Sequence, residues 1–312
     1  MFILIGLSNI PCYIDGGSMS LNPKLTGSFV ALITPMLNNG EVDFDSLTSL
    51  IEWHISAGTD GLVILGTTAE SATLSESEKM QVLTHSIDVN NQRLPIVVGN
   101  GTNCTASTIE VTQKYDHLAI DGFLTVTPYY NKPSQRGMIH HFKAVAAATT
   151  KPIILYNVPG RTNVDLSNDS VKELMAVSNI VGIKDATGDL TRVRQLKQAN
   201  PDFILLSGDD ASSKDFLHLG GDGVISVTAN IKPKEIAQMV SLSRSGQDQQ
   251  AHEIDSKLTA LHHDLFIEPN PVPVKWALLQ EDKISSDFVR LPLVTMEPKH
   301  HSVIKQALEQ SK

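Results

Sequence analysis

The stretch Asn179-Ile180-Val181-Gly182-Ile183-Lys184-Asp185-Ala186-Thr187-Gly188-Asp189 contains a short apolar run that ends on a lysine. A run rich in β-branched residues is typical of a strand that is buried on both faces, and the Thr-Gly pair after it leads into a helical pattern. We therefore predict that Lys184 is the last residue of a core strand. Burial disfavours a charged ammonium and leaves an amine that can form an imine with a carbonyl substrate, although most lysines at strand ends are simply solvated.

Seven further apolar runs repeat this pattern, and longer segments of helical periodicity separate them. The runs are Phe29–Ile33, Leu62–Leu65, Pro95–Val98, Phe123–Val126, Ile153–Tyr156, Phe203–Leu206 and Val224–Val227. Strands that alternate with helices predict right-handed βαβ units and a parallel sheet. Eight such units in roughly 220 residues fit a closed (β/α)8 TIM barrel of the α/β class better than an open sheet.

The strand pattern stops after Gly246, and three helical patterns follow it at 249–266, 273–280 and 299–310. We therefore expect a barrel catalytic domain over residues 24–246 and a C-terminal helical region over residues 247–312. Residues 1–23 are interpreted as a disordered N-terminal extension. Their apolar start is interrupted by polar residues and the first basic residue is Lys24, which fits neither a signal peptide nor a membrane span.

Composition narrows the class of ligand. The net charge of −9 over 312 residues argues against nucleic acid or an anionic membrane as the main partner, so small molecules are expected. Two cysteines are too few for a disulfide framework, which favours a reducing, cytoplasmic location. Three pairs of adjacent histidines are not predicted to bind metal, because neighbours on a helix point about 100° apart and no further ligand spacing accompanies them.

Polar side chains follow several of the predicted strands, at the end of a barrel where active sites form. The Gly66-Thr67-Thr68 turn can cradle a small carboxylate with its hydroxyl and backbone N–H groups, or it can simply cap a helix. Tyr156 ends the strand next to Lys184 and can transfer a proton, or it can be a buried tyrosine with a backbone partner. Arg161 suits bidentate binding of a second carboxylate, or is plain surface charge. Together these groups form the pattern that a 2-oxo-acid aldolase needs.

From about Leu25 to Ala307 the chain resembles the dihydrodipicolinate synthase family of pyruvate-dependent class I aldolases. Six ordered motifs carry the resemblance, namely Gly66-Thr67-Thr68-Ala69-Glu70-Ser71-Ala72-Thr73, Thr125-Val126-Thr127-Pro128-Tyr129-Tyr130-Asn131-Lys132-Pro133-Ser134, Leu155-Tyr156-Asn157-Val158-Pro159-Gly160-Arg161-Thr162, Gly182-Ile183-Lys184-Asp185-Ala186-Thr187-Gly188, Leu206-Ser207-Gly208-Asp209-Asp210 and Glu268-Pro269-Asn270-Pro271-Val272-Pro273-Val274-Lys275-Trp276. So many motifs in one order make a chance match untenable.

The resemblance implies that Lys184 forms a Schiff base with pyruvate. The resulting enamine would add to the aldehyde of L-aspartate 4-semialdehyde, and cyclisation would give 4-hydroxy-tetrahydrodipicolinate in the first committed step of lysine and diaminopimelate biosynthesis. Tyr156 would transfer protons and would be linked through Thr67 to Tyr130, which in this family reaches the active site of a neighbouring subunit. The expected assembly is a tight dimer, usually doubled to a tetramer.

The same resemblance implies the substrate-binding groups. Thr68 would hold the pyruvate carboxylate with main-chain help from Gly208 and Ile225, and Arg161 would hold the carboxylate of the semialdehyde. Because an iminium is itself an electron sink, this chemistry needs neither a metal nor an organic cofactor.

The sequence departs from the family at the turn and at the feedback site for lysine. Ala69 replaces a glycine, and its methyl group would cost about 1 kcal/mol if the backbone there had a positive φ. Residues that fit the family's lysine pocket at the dimer interface are Ser71, Ala72, Asn103 and Tyr129. Ser107, however, replaces a glutamate, and Glu76 and Lys79 replace histidines. Losing a carboxylate and gaining an ammonium disfavours a cationic ligand, so we expect weak or no inhibition by lysine.

Two other functions compete with this interpretation. Another pyruvate-lysine aldolase, such as an N-acetylneuraminate lyase or a keto-deoxy sugar acid aldolase, would keep pyruvate and change the aldehyde. The Thr67-Thr68 pair and Arg161 favour a short carboxylated aldehyde over a polyol. A barrel without catalytic activity that binds a metabolite is the alternative from a different class.

Overall fold

The computed structural model describes residues 25–312, so the prediction for residues 1–23 lies outside the described part of the chain. Eight parallel strands form a closed barrel in sequence order, with β8 paired to β1. The strands are β1 (Gly27–Ala31), β2 (Gly61–Ile64), β3 (Ile96–Gly99), β4 (Gly122–Val126), β5 (Ile153–Asn157), β6 (Ile180–Asp185), β7 (Ile204–Ser207) and β8 (Gly223–Ser226). The predicted TIM barrel is thereby confirmed.

Helices lie between the strands and after the last one. They are α1 (Phe44–Ala57), α2 (Glu76–Asn90), α3 (Thr105–Asp116), α4 (Gln135–Ala146), α5 (Pro159–Thr162), α6 (Asn168–Leu174), α7 (Thr191–Ala199), α8 (Ser213–His218), α9 (Pro233–Arg244), α10 (Asp248–Asp264), α11 (Val272–Gln280) and α12 (His301–Gln310). The C-terminal helical extension is therefore confirmed as well. The short helix α5 had not been predicted, because four residues are too few to show a helical period.

Local sequence explains where the first helices begin and end. The Asp43 side chain accepts a hydrogen bond from the backbone N–H of Ser46 and so caps the start of α1, while Gly58, with φ 85°, ends that helix. Ser75 and Glu78 form a capping box at the start of α2, in which each side chain accepts a bond from the other residue's backbone. Such caps satisfy backbone groups that have no partner inside the helix.

Side chains alternate along each strand between two hydrophobic layers. In β1, Phe29 and Ala31 belong to a cluster inside the barrel, whereas Val30 belongs to the larger cluster between the barrel and its helices. The inner cluster also contains Ile225, which is 1% exposed, and Tyr156. Because both faces of each strand are buried, the strands appear in the sequence as continuous apolar runs.

The C-terminal helices share the outer hydrophobic layer. Leu258 and Leu261 of α10, together with Ile304 and Leu308 of α12, belong to the same cluster as the outward-facing residues of the strands. Within residues 25–312, no helix combines the length and the apolar character that a membrane crossing requires. The C-terminal region thus packs directly on the barrel through residues of one continuous core.

Candidate active site

Lys184 and Tyr156 lie side by side on neighbouring strands. They are register partners in the β5–β6 pair, and the side chains of both are buried, with 5% and 8% of each residue exposed. The Lys184 Nζ atom is 4.3 Å from the centroid of the Tyr156 ring, in the geometry of a cation–π contact. β6 continues to Asp185, so the prediction that Lys184 ends the strand is wrong by one residue: the β5–β6 pairing extends to Asn157 and Asp185.

Gly208 follows β7 and packs against the stem of Lys184. A Cβ atom at position 208 would lie 2.7 Å from Lys184 Cε and 3.0 Å from Lys184 Cγ, closer than carbon atoms normally approach. The backbone N–H of Gly208 donates a hydrogen bond to Asp185 O at 2.7 Å, which holds the two strand ends together. Only a glycine at this position leaves the lysine side chain where it is.

The threonine turn, residues 65–70, leaves β2 and carries two residues in the left-handed region. These are Leu65 at its start, with φ 58°, and Glu70 at its end, with φ 54°. Ala69 is not among the residues with positive φ, and it is 2% exposed. The strain that was considered for the Ala69 methyl group therefore does not arise, and the methyl group is accommodated in the core.

The two threonines of the turn have different surroundings. Thr68 is 2% exposed, and its Oγ1 accepts a hydrogen bond from Asn270 Nδ2 at 2.9 Å. Thr67 is partly buried and lines the same cavity as Tyr156. Among residues 25–312, no hydrogen bond joins Thr67 to Tyr156.

A buried ion pair closes the turn at Glu70. Its carboxylate pairs with the Lys275 ammonium of α11, and the two side chains are 1% and 0% exposed. Glu70 also accepts a hydrogen bond from the backbone N–H of Arg290 at 3.0 Å, and Lys275 donates one to Phe288 O at 2.9 Å. Burial lowers the pKa of Lys275, and the charge of Glu70 opposes that shift. Sequence reasoning missed this pair, although a single lysine within the apolar run of α11 was a signal for it.

A cavity of about 410 Å³ opens beside these residues. Thr67, Tyr156, Arg161 and Asn270 are among the residues that line it. Arg161 lies on α5 and is exposed. Lys184 does not line the cavity; its amine lies against the face of the Tyr156 ring.

Tyr130 and Ile225 are the remaining residues predicted for catalysis and substrate binding. Tyr130 is 89% exposed with φ 74°, so the single chain does not bring it to Tyr156. Ile225 lies on β8, with its side chain in the core of the barrel. A network missed by sequence reasoning lies behind Lys184, where Asp185 accepts a hydrogen bond from Arg192 Nε at 2.7 Å. This buried pair connects the end of β6 to α7.

Comparison with known proteins supplies the family. Residues 24–311 match the model of the dihydrodipicolinate synthetase family. The chain belongs to this family.

Its relatives cover nearly the whole of the chain. The 4-hydroxy-tetrahydrodipicolinate synthase of Pseudoalteromonas atlantica is 48% identical over 287 residues, which are 92% of this chain and 98% of that protein. The enzyme of the same name from Escherichia coli K12 is 48% identical over 285 residues, 91% of this chain and 98% of its own length. Among solved structures, the chloride-inhibited dihydrodipicolinate synthase of Acinetobacter baumannii, complexed with pyruvate, superposes with a TM-score of 0.90. It is 47% identical, over 92% of this chain and 98% of that one.

Some of the residues predicted to form a lysine pocket lie at the same cavity. Ser71, Ala72, Lys79 and Tyr129 are among its lining residues. Asn103 O accepts a hydrogen bond from the Asn131 side chain at 2.7 Å, and Ser107 is exposed on α3.

Lys79, which lines this part of the cavity, belongs to a small group of charged side chains on α2 and α3. Glu76 pairs with Lys79 at 2.7 Å and with Lys114 at 3.4 Å. The hydrogen bond from Lys79 lowers the pKa of Glu76, so this carboxylate remains ionised at neutral pH and is already occupied by two cations. Within residues 25–312, no cluster of three or more His, Cys, Asp or Glu side chains could hold a metal ion.

Proposed function

We propose that this protein condenses pyruvate with L-aspartate 4-semialdehyde to give 4-hydroxy-tetrahydrodipicolinate, the first committed step of lysine and diaminopimelate biosynthesis. The observation that carries the proposal is the buried Lys184 amine, 4.3 Å from the centroid of the Tyr156 ring at the carboxyl ends of two neighbouring barrel strands. The names of relatives that are 48% identical over nearly the whole chain support the same reaction.

The proposed reaction proceeds through a covalent intermediate. The Lys184 nitrogen adds to C2 of pyruvate, and the carbonyl oxygen leaves as water to form an iminium. Loss of a proton from C3 gives an enamine, whose C3 attacks the aldehyde carbon of the semialdehyde. The amino group of the semialdehyde then attacks the iminium carbon and displaces Lys184, which closes the ring. One water is released, no electrons are exchanged, and neither a metal nor an organic cofactor is required.

The supporting roles follow the positions of the side chains. Tyr156 transfers protons beside the amine, with Thr67 next to it in the cavity. Thr68, with the main chains of Gly208 and Ile225, holds the pyruvate carboxylate. Arg161, exposed at the cavity, holds the carboxylate of the semialdehyde.

The assembly is part of the same proposal. Tyr130 is 89% exposed with a left-handed backbone, which suits a residue that completes the site of a second copy. A tight dimer, doubled to a tetramer, supplies that copy. Residues 24–246 form the catalytic unit and residues 247–312 its helical support. A cytoplasmic location fits a chain with two cysteines in 312 residues.

Two assays test the function. Borohydride added with pyruvate should leave a reduced pyruvyl adduct on Lys184, detected by peptide mass spectrometry, whereas a binding protein would gain none. A coupled assay should then show turnover with L-aspartate 4-semialdehyde and none with N-acetylmannosamine. An adduct followed by turnover of the sugar alone would assign the protein to the sialic acid or sugar acid aldolases instead.

A further inference from the structure

The loop before α11 belongs to a motif of the family, yet none of its residues has a part in the reaction described above. Asn270 lies in this loop, 202 positions away from Thr68 in sequence. We propose that Asn270 is a positioning residue, which holds the Thr68 hydroxyl so that its proton is directed to the carboxylate of pyruvate. This inference rests on the proposed function, in which Thr68 binds that carboxylate.

The direction of one hydrogen bond carries the argument. Asn270 Nδ2 donates to Thr68 Oγ1 at 2.9 Å, and both residues are buried, at 6% and 2% exposure. Thr68 is therefore the acceptor in this bond and keeps its own hydrogen. Within the described range 25–312 that hydrogen has no acceptor. A carboxylate can only accept hydrogen bonds, so a hydroxyl that is already held as an acceptor is oriented to donate to it.

The other end of the amide supports a functional role. Asn270 Oδ1 is buried, and among residues 25–312 it has no hydrogen-bond partner. Asn270 also lines the 410 Å³ cavity together with Thr67 and Tyr156. An unpaired buried acceptor costs free energy, and such costs concentrate where function requires a particular arrangement. Packing alone would be served better by an apolar side chain at this position.

The buried ion pair between Glu70 and Lys275 helps to hold Asn270 beside Thr68. Glu70 lies two residues after Thr68, and Lys275 lies five residues after Asn270, so the pair joins the same two segments a second time. Each member is also bonded to the segment that follows α11, through Arg290 N and Phe288 O. Two attachments prevent the threonine turn from rotating relative to α11. Buried ion pairs contribute little net stability. In other proteins, buried polar groups select one packing arrangement over others, and here that arrangement is the threonine turn against α11.

The test combines variants of Asn270 and Thr68 in a double-mutant cycle. Asn270→Ala should raise the KM for pyruvate about tenfold, while kcat at saturating pyruvate changes less than about twofold. In a Thr68→Val background, where no hydroxyl remains to be oriented, Asn270→Ala should have no further effect on that KM. In a Thr68→Ser background, where a hydroxyl is again present, Asn270→Ala should again raise the KM for pyruvate about tenfold. Asn39→Ala is the matched control, because this asparagine is exposed and its side chain bonds to Glu41 and not to Thr68.

An isosteric variant separates orientation from packing. Asn270→Asp preserves the shape of the side chain, but an ionised carboxylate only accepts hydrogen bonds. It should therefore accept one from the Thr68 hydroxyl, which would no longer donate to pyruvate, and raise the KM for pyruvate more than Asn270→Ala does. This variant and Thr68→Val also decide the question if Asn270→Ala fails to fold. Wild-type KM in the Asn270 variants, or an equal rise in KM with and without the Thr68 hydroxyl, would overturn the inference. A wild-type protein without any borohydride adduct would instead overturn the proposed function.

Discussion

The interior of the barrel and the layer of helices around it differ in how closely their residues match the motifs of the family. The groups nearest the proposed reaction lie on or beside the strands, where Lys184 packs against both the Tyr156 ring and Gly208. The departures at Glu76, Lys79 and Ser107 lie on α2 and α3. A strand that is packed on both faces tolerates few changes, whereas a helix can change charge on its outer side without moving the amine. We expect inner substitutions to remove activity and outer ones to alter stability or regulation.

The largest effect is expected from Lys184→Met, which keeps the length of the side chain and removes the amine. Without a nucleophile no imine forms, and kcat should fall by about a thousandfold or more. Steady-state kinetics and borohydride labelling with pyruvate measure this, with the melting temperature as a control for folding. A pyruvyl adduct that persists on another residue of the variant would contradict the assignment.

Gly208→Ala tests whether close packing positions the amine. Its methyl group would lie 2.7 Å from Lys184 Cε, so the lysine must move, and kcat should fall by about a hundredfold. Gly137→Ala on α4 is the matched control, because its added methyl group meets its nearest neighbour at 3.4 Å, an ordinary contact. Equal activity of the two variants would show that the amine has more freedom than the packing indicates.

His54 on α1 is buried in the layer of helices, and it should make the stability of the protein depend on pH. Burial lowers the pKa of His54 to about 3 from 6.5, so between these values the unfolded chain binds a proton that the folded chain does not. Stability should therefore fall as the pH decreases through that window, at no more than about 1.4 kcal/mol per pH unit from this group.

The measurement is urea unfolding of wild type and His54→Asn between pH 7 and pH 4. The variant should be less stable overall but should lose less stability on acidification, since contributions from the carboxylates cancel in the difference. An identical pH slope in both proteins would show that His54 is not buried in its neutral form.

The smallest effect is expected from free lysine. At the predicted lysine pocket Glu76 is already paired with Lys79 and Lys114, and Ser107 offers no carboxylate, so lysine should inhibit weakly or not at all. A steady-state assay with increasing lysine measures this, and potent inhibition below millimolar lysine would refute it. The combined variant Glu76→His, Lys79→His and Ser107→Glu should gain sensitivity, which would locate regulation in the helical layer.

Local patterns were enough to predict most of the fold and the centre of the site. All eight predicted strands occur, with ends that differ from the predicted ones by at most two residues. Lys184 and Tyr156 were predicted to be neighbours because consecutive strands of a parallel barrel lie side by side, and they are register partners. The Thr67-Thr68 turn and Arg161 meet at one cavity for the same reason, since loops after parallel strands gather at one end.

The contacts that hold the site together could not be predicted in this way. Asn270 and Thr68 are separated by 202 positions, and the chain leaves the barrel before α11 returns to the threonine turn. No period or spacing specifies such a contact. The outward direction of Tyr130 was likewise suggested by the family resemblance and not by any local pattern.

The sequence by itself determined the barrel, the order of its strands and the residue types at its carboxyl end. Strand and helix periods are local properties, so they can be recognised in the sequence without the structure. The tertiary structure alone decided that Gly208 must lack a side chain, that Glu70 forms an ion pair with Lys275, and that Asn270 donates a hydrogen bond to Thr68. Each of these depends on the distance between segments far apart in the chain. Such distances are set by how the whole core packs, and short motifs do not record them.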